Sequence, residues 1–257
     1  MLDYSREADR YDASRGGEPR ADAAATAVRD LLPPDAHTLL DVACGTGLVT
    51  RRLAGAGLRV TGVDAAHNMT RMASERLPGS VVLGDSRQLP FLDASFDAVT
   101  VVWLLHLLSG PEEAAAVVAE CARVLRPGGV FVTTVDKAAA HDVGSDIDAA
   151  LAPRPVGPAV DRSQAVEAYA AARGLTPVGD AWFRGHGQGR SPRSTIDDIN
   201  RGWFTRVPPD GPLATRLAES LAALPDQEVP RPDPRFTLRS FRMPPAPRPT
   251  AFAETAR

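Results

Sequence analysis

The sequence predicts an α/β fold built on a doubly wound, mostly parallel sheet. Three observations carry this. An apolar run from His37 to Ala43 stops at Gly45-x-Gly47, and a helix-like run, Leu48 to Ala56, follows at once. Two further apolar runs each close on an acid: Leu58 to Val63 on Asp64, and Ser80 to Gly84 on Asp85. Beyond them, strand-like and helix-like periods keep alternating as far as Val135, the mark of βαβ units.

The elements follow in order. Residues 1–32 read as an N-terminal cap, with Tyr4, Ala8 and Tyr11 on one helical face and a helix from Ala21 to Leu32 that Pro33-Pro34 ends. Residues 33–135 form the core. After the second strand, Ala66 to Leu77 is helical, with Met69, Met72, Ala73 and Leu77 spaced for burial. Phe96 to Val102 is a fourth strand, with Asp97 expected at the surface. Pro111 to Leu125 is a helix with Pro in its first turn, Glu112 and Glu113 at its positive end and Arg123 and Arg126 at its negative end. Pro127-Gly128-Gly129 turns the chain into a fifth strand, Val130 to Val135.

Residues 136–160, rich in Ala, Pro and Asp, depart from the compact pattern; they read as a plain surface loop or, as a family resemblance implies, a lid-like insertion. Residues 161–243 complete the sheet and add substrate-side helices: Ser163 to Arg173, Thr195 to Thr205 and Pro212 to Leu224. Leu175 to Phe183 is a sixth strand. The alternating run Arg235 to Met243 is the last strand, antiparallel and half exposed. Residues 244–257 read as a Pro-rich disordered tail.

Composition narrows the function. Lys+Arg 29 against Asp+Glu 32 gives a formal charge of -3, which argues against a nucleic-acid surface as the main task. Two cysteines, Cys44 and Cys121, make no disulfide framework, and no Cys/His spacing suggests a metal. The charged start lacks an apolar targeting core, and no apolar run approaches the ~18 residues of a membrane span. A soluble cytoplasmic protein, monomer or homodimer, is the expectation.

The chemistry concentrates at the strand tips. Gly45 and Gly47 permit backbone angles other residues avoid and leave bare amides facing a ligand at a helix N-terminus. Three acids at three strand tips, Asp41, Asp64 and Asp85, suit a ligand with an ammonium group, a ribose diol and an exocyclic amine.

These residues resemble those of the class I S-adenosylmethionine-dependent methyltransferases of the broad small-molecule, type 11-like kind. The resemblance rests on Asp41-x-x-x-Gly45-x-Gly47, Gly62-Val63-Asp64-x-x-x-x-Met69, Gly84-Asp85-Ser86-x-x-Leu89-Pro90-Phe91, Ser95-Phe96-Asp97 and Leu125-Arg126-Pro127-Gly128-Gly129, covering roughly residues 38 to 135. Ala43 stands where the family often has another glycine. The resemblance implies a seven-stranded sheet in the order 3-2-1-4-5-7-6, S-adenosyl-L-methionine as cofactor and a small-molecule methyl acceptor. It implies that Asp41 and Ala43 help hold the methionine end, that Gly45 and Gly47 give close backbone approach, and that Asp64 with Ala65 takes the ribose hydroxyls. Met69 would meet the adenine face or simply pack in the core. Asp85 with Ser86 would read the adenine edge, or Asp85 would cap a helix. Tyr11 would pack near the methionine moiety and Arg15 would meet its carboxylate. Val102 and Trp103 would wall the methyl group. On the acceptor side stand Tyr4, Trp103, His106 and His186; His106 is either a general base or a structural histidine.

Two rival readings remain at this point. A nicotinamide-dependent dehydrogenase needs Gly-x-Gly-x-x-Gly, but the third position here is Thr50. A cofactor-binding protein without methyl transfer, a cyclase or a partner subunit, fits the same motifs.

Overall fold

The computed structural model describes residues 12, 16–55, 57–153, 159–204 and 207–246. The expectations for Tyr4, Tyr11, Arg15 and the tail beyond residue 246 lie outside these residues. Seven strands form one sheet in the order β3-β2-β1-β4-β5-β7-β6. They are β1 (Thr38–Val42), β2 (Arg59–Asp64), β3 (Val81–Leu83), β4 (Phe96–Val101), β5 (Leu125–Val135), β6 (Thr176–Arg184) and β7 (Arg235–Arg242). The first five pair in parallel, and β7 runs antiparallel to both β5 and β6. The predicted sheet order is the observed one.

Helices cover both faces. Leu39 and Leu40 point to opposite sides, as successive strand residues must. Leu39 joins a core with Ala24 and Val28 of α1 (Gly17–Arg29) and Leu53 of α2 (Thr50–Leu53). Leu40 joins a core with Val117 and Cys121 of α4 (Pro111–Val124) and Val166 of α6 (Ser163–Ala171). Between these in sequence, α3 (His67–Arg76) packs Ala73 against the glycine turn. Burying such apolar surface on both faces, at about 25 cal/mol per Å², is what holds a parallel sheet together.

The segment after β5 is not a bare loop. It contains a 3-10 turn, Ala139–His141, and α5 (Asp146–Ala150), whose Ser145 and Asp148 form a reciprocal capping box. Ile147 and Leu151 enter a third, small core with Ile199 of α7 (Pro192–Asn200) and Leu217 and Leu221 of α8 (Pro212–Ala222). The ion pair Arg231–Asp146, at 2.7 Å, fastens the same junction. The segment after β5 and the β6–β7 connection therefore build one helical cluster.

Other boundaries shift for physical reasons. The helix expected over Leu48 to Ala56 is a single turn, because the backbone leaving Gly47 spends Leu48 and Val49 in a turn. β5 begins at Leu125, ahead of the Pro-Gly-Gly corner, and pairs across a register shift with Phe96. The helix expected over Thr195 to Thr205 starts at Pro192, where Ser191 and Ser194 cap it, and stops before Trp203 and Phe204.

Asp97 is only partly exposed and does more than face solvent. Its carboxylate accepts from the backbone N–H groups of His37 and Thr38, from the Thr38 hydroxyl and from Arg126. It stitches the entry ends of β1, β4 and β5. Burial alone would raise its pKa, but these donors outweigh burial and hold it at about 2. That lies below the ordinary 3.8, so this contribution is present above pH 3.8 and fades as pH falls toward 2. Asp97→Asn is expected to destabilise the fold by on the order of 2 kcal/mol at pH 7, with the gap closing below pH 3, in urea titrations across pH. A gap that does not change with pH would contradict this assignment.

Candidate functional site

The site forms where β1 stops. Ala43, Gly45 and Gly47 all take positive φ, 57°, 56° and 75°. Such a run folds the chain back under itself at the head of the sheet, with the Cys44, Gly45 and Gly47 N–H groups donating to Val63, Asp64 and Cys44. The two glycines do different work. A Cβ on Gly47 would lie 3.0 Å from the Cα and Cβ of Ala73, so this glycine lets α3 pack against the turn. A Cβ on Gly45 would meet nothing within 4 Å. The bare face of Gly45 therefore opens onto free space at the head of the sheet, as a ligand-binding turn requires. Ala43 holds a left-handed angle at a cost that a glycine would avoid.

Asp64, at the tip of β2, closes on this turn. One carboxylate oxygen accepts the Gly45 N–H at 2.8 Å and the other accepts the Ala66 N–H at 2.9 Å. Each oxygen keeps a second lone pair for a hydroxyl donor. Burial raises its pKa, partly offset by those amides. Ala65 stands exposed beside it.

Asp41 lies deeper. It is 3 % exposed, and its oxygens accept the Thr50 hydroxyl at 2.6 Å and the Thr100 hydroxyl at 2.9 Å. It thus locks the β1 tip to α2 and to β4, and any hold on a ligand passes through the turn it supports. Burial pushes its pKa up to about 6, against the pull of the two threonines.

Asp85 sits past the tip of β3, paired with its neighbour Arg87. The guanidinium reaches it at 2.7 Å, and the Arg87 N–H donates at 2.8 Å, which lowers its pKa. Arg87 also meets Glu113 at 3.3 Å. Ser86 is half-buried beside the pair. Met69 is 2 % exposed and packs as a core residue. Val102 is buried at the end of β4.

Trp103 follows with φ 61°, a left-handed angle that bulky side chains rarely take. Its backbone N–H donates to Thr134 on β5. Its ring packs edge-on to Phe183 at 5.4 Å and to Phe236 at 5.9 Å. His106 lies three residues on, half-buried in the 3-10 turn Leu105–Leu107. His186 lies on the β6–β7 connection, where its carbonyl backs onto Gly16 at the start of α1; a Cβ on Gly16 would stand 1.9 Å from that oxygen.

Two features escaped sequence reasoning. Asp12 accepts from the Thr46 hydroxyl at 2.6 Å and pairs with Arg76 at 2.6 Å, while Arg76 donates to the Thr46 carbonyl. This three-way tie fastens the N-terminal cap to the glycine turn. Arg20, only 8 % exposed, lies over the Trp103 ring at 4.1 Å. Its place one residue before the expected helix gave no hint of that burial. Among the described residues, no group of three or more His, Cys, Asp or Glu side chains could hold a metal, and no helix is long and apolar enough to cross a membrane.

Because Asp41 favours its protonated form in the folded state, its contribution to stability is complete below pH 3.8 and is lost as pH rises through about 6. Asp41→Asn keeps the shape without the charge. Relative to the parent, it is expected to gain on the order of 3 kcal/mol between pH 3.5 and pH 7 in denaturant titrations. A constant offset across that range would contradict a strained charge at this position.

Comparison with known proteins agrees with this geometry. Residues 40–133 match the family model described as a methyltransferase domain. Demethylmenaquinone methyltransferase of Renibacterium salmoninarum is 41% identical over 95 residues, 37% of this chain and 39% of that protein. Cypemycin N-terminal methyltransferase of a Streptomyces species is 40% identical over 119 residues, 44% of this chain and 48% of that protein. The chain thus spans less than half the length of the curated relatives it matches. The fold extends further: the [4+2]-cyclase SpnF superposes with a TM-score of 0.61 at 19% identity, covering 94% of each chain. A putative methyltransferase from Bacillus halodurans gives 0.57 at 19% identity, over 86% of this chain and 98% of that one. Over residues 40–133 the chain is similar to a methyltransferase domain, and its motifs and strand order resemble those of the class I S-adenosylmethionine-dependent methyltransferases.

Proposed function

We propose that the protein transfers a methyl group from S-adenosyl-L-methionine to an O, N or C atom of a small molecule, as a cytoplasmic monomer or homodimer without nucleic-acid or membrane partners. The observation that carries this is the open face of Gly45 flanked by Asp64 at the neighbouring strand tip. An adenosyl ligand needs both: bare backbone for close approach and a carboxylate for two ribose hydroxyls. The family match, residues 40–133, includes this turn and this strand tip.

S-adenosylmethionine, when bound, supplies an activated methyl group on a sulfonium. The chain's residues bind and orient. Gly45 and Gly47 shape the turn, Asp64 accepts from the ribose, and Asp85 with Ser86 addresses the adenine once Arg87 turns to Glu113. Asp41 holds the turn rigid from below, and Ala43 and Val102 line its inner side. Tyr11 would pack near the methionine moiety, Arg15 would meet its carboxylate, and Tyr4 and Trp103 would serve the acceptor side. Holding the reactants at ~3–3.5 Å contributes about 7–11 kcal/mol toward the barrier, so no dedicated catalytic group is required. His106 stands near the β4 tip as the candidate base for an acceptor that must lose a proton; this adds roughly 10²–10⁴-fold.

The same fold also carries a [4+2]-cyclase, so binding and transfer need separate tests. Calorimetry is expected to show S-adenosylhomocysteine binding and no comparable binding of NAD. Asp64→Ala is expected to weaken that binding by roughly tenfold or more, the worth of charge-assisted hydrogen bonds of about 1.5–3 kcal/mol. Incubation with methyl-labelled cofactor and a panel of phenols, amines and activated carbons should then give a labelled product. Binding without label across the panel would favour the non-transferring reading, and NAD binding without S-adenosylhomocysteine binding would refute both.

A further inference from the structure

Beyond the tip of β3, Arg87 stands between two acids. Asp85 lies on one side and Glu113, in the first turn of α4, on the other. The two contacts differ. Arg87 Nε and Nη2 reach the Asp85 carboxylate at 3.0 and 2.7 Å, and the Arg87 backbone N–H donates to it at 2.8 Å. Nε also lies 3.2 Å from the second carboxylate oxygen. Toward Glu113 there is one contact, from Nη1 at 3.3 Å. Glu113 is itself held in place, because its other oxygen accepts the Ser109 N–H at 2.9 Å.

A carboxylate offers about four lone-pair sites. Arg87 contacts each Asp85 oxygen twice and so fills them. An exocyclic amine arriving at Asp85 must therefore displace the guanidinium. That exchange is cheap. The Arg87 and Asp85 side chains are 50% and 45% exposed, and exposed ion pairs are weak. Glu113 is an acceptor already in contact with the same guanidinium, so Arg87 can leave Asp85 without losing its ionic partner.

The pair also decides what the purine edge meets. A bare Asp85 carboxylate only accepts, which suits a 6-amino purine. With Arg87 across it, the same place presents donors, and arginine donors suit a 6-oxo purine. We propose that Arg87 sets the base selectivity of the adenosyl site: it competes with a 6-amino purine for Asp85, withdraws to Glu113 when the amine binds, and stays to donate to a 6-oxo purine. This rests on the methyltransferase reading, with Asp85 at the adenine edge. Arg87 thus weakens the site for its own cofactor and blunts its discrimination against the deaminated base.

Calorimetry on the full chain tests this with two ligands that differ at the purine 6-position, S-adenosylhomocysteine and its 6-oxo counterpart S-inosylhomocysteine. Arg87→Ala is expected to tighten the first by about two- to fivefold, the scale of an exposed ion pair, and to weaken the second by about twofold or more. Arg87→Lys keeps a cation but not the planar fork, and should fall between the parent and Arg87→Ala for both ligands. Glu113→Gln removes the charge to which Arg87 withdraws. It should weaken S-adenosylhomocysteine by about twofold in the parent and leave its affinity unchanged in the Arg87→Ala background. Opposite shifts for the two ligands cannot come from general loosening of the site. A shift of both in one direction, no change of either on Arg87→Ala, or no binding of S-inosylhomocysteine to the parent would overturn the proposal. Failure of S-adenosylhomocysteine to bind the parent would instead strike at the methyltransferase reading.

Discussion

The rest of the molecule depends on the backbone reversal from Ala43 to Gly47. Three left-handed residues in five turn the end of β1 back on itself, and every neighbouring element is set by that bend. Asp41 anchors it from below through Thr50 and Thr100, Asp64 grips it from the side through the Gly45 N–H, and Gly47 admits α3 behind it. Asp12 and Arg76 tie the N-terminal cap across its top by way of Thr46. An anchor of this kind suits group transfer, where the protein's main task is to fix positions rather than to supply a reactive side chain.

The three strand-tip acids play distinct parts because their surroundings differ. Asp41 is buried against hydroxyls and stays reluctant to ionise. Asp64 is half-buried against amides, with lone pairs to spare. Asp85 is exposed and paired with an arginine. One residue type, repeated at one structural level, thus yields a support, a ligand-facing acceptor and a pair that must part to accept a partner.

Much of this was legible in the sequence. The period-2 and period-3.6 runs marked the strands, the family resemblance implied the sheet order, and the glycines and acids named the turn and its flanks. What was not legible depended on distant partners. Nothing local shows that Asp97 would collect four donors from β1 and β5, or that Arg20 would lie on Trp103. The stretch 136–160 read as a loop or a lid because the helix among its described residues, Asp146–Ala150, is short and packs through Ile147 and Leu151 on residues some fifty or more positions away. The Ser145 and Ser191 capping boxes were readable and were passed over in Pro- and Gly-rich surroundings. The acceptor half stays the least readable part, since the family match ends at residue 133.

The central claim is that the bent end of β1, with Asp64, forms a seat for an adenosyl group. A crystal structure with S-adenosylhomocysteine tests it most directly. The account predicts the ribose hydroxyls within hydrogen-bonding distance of the Asp64 carboxylate and the amino-acid chain running along Ala43 to Gly47. A nucleoside bound elsewhere, with Asp64 making only its contacts to Gly45 and Ala66, would contradict it.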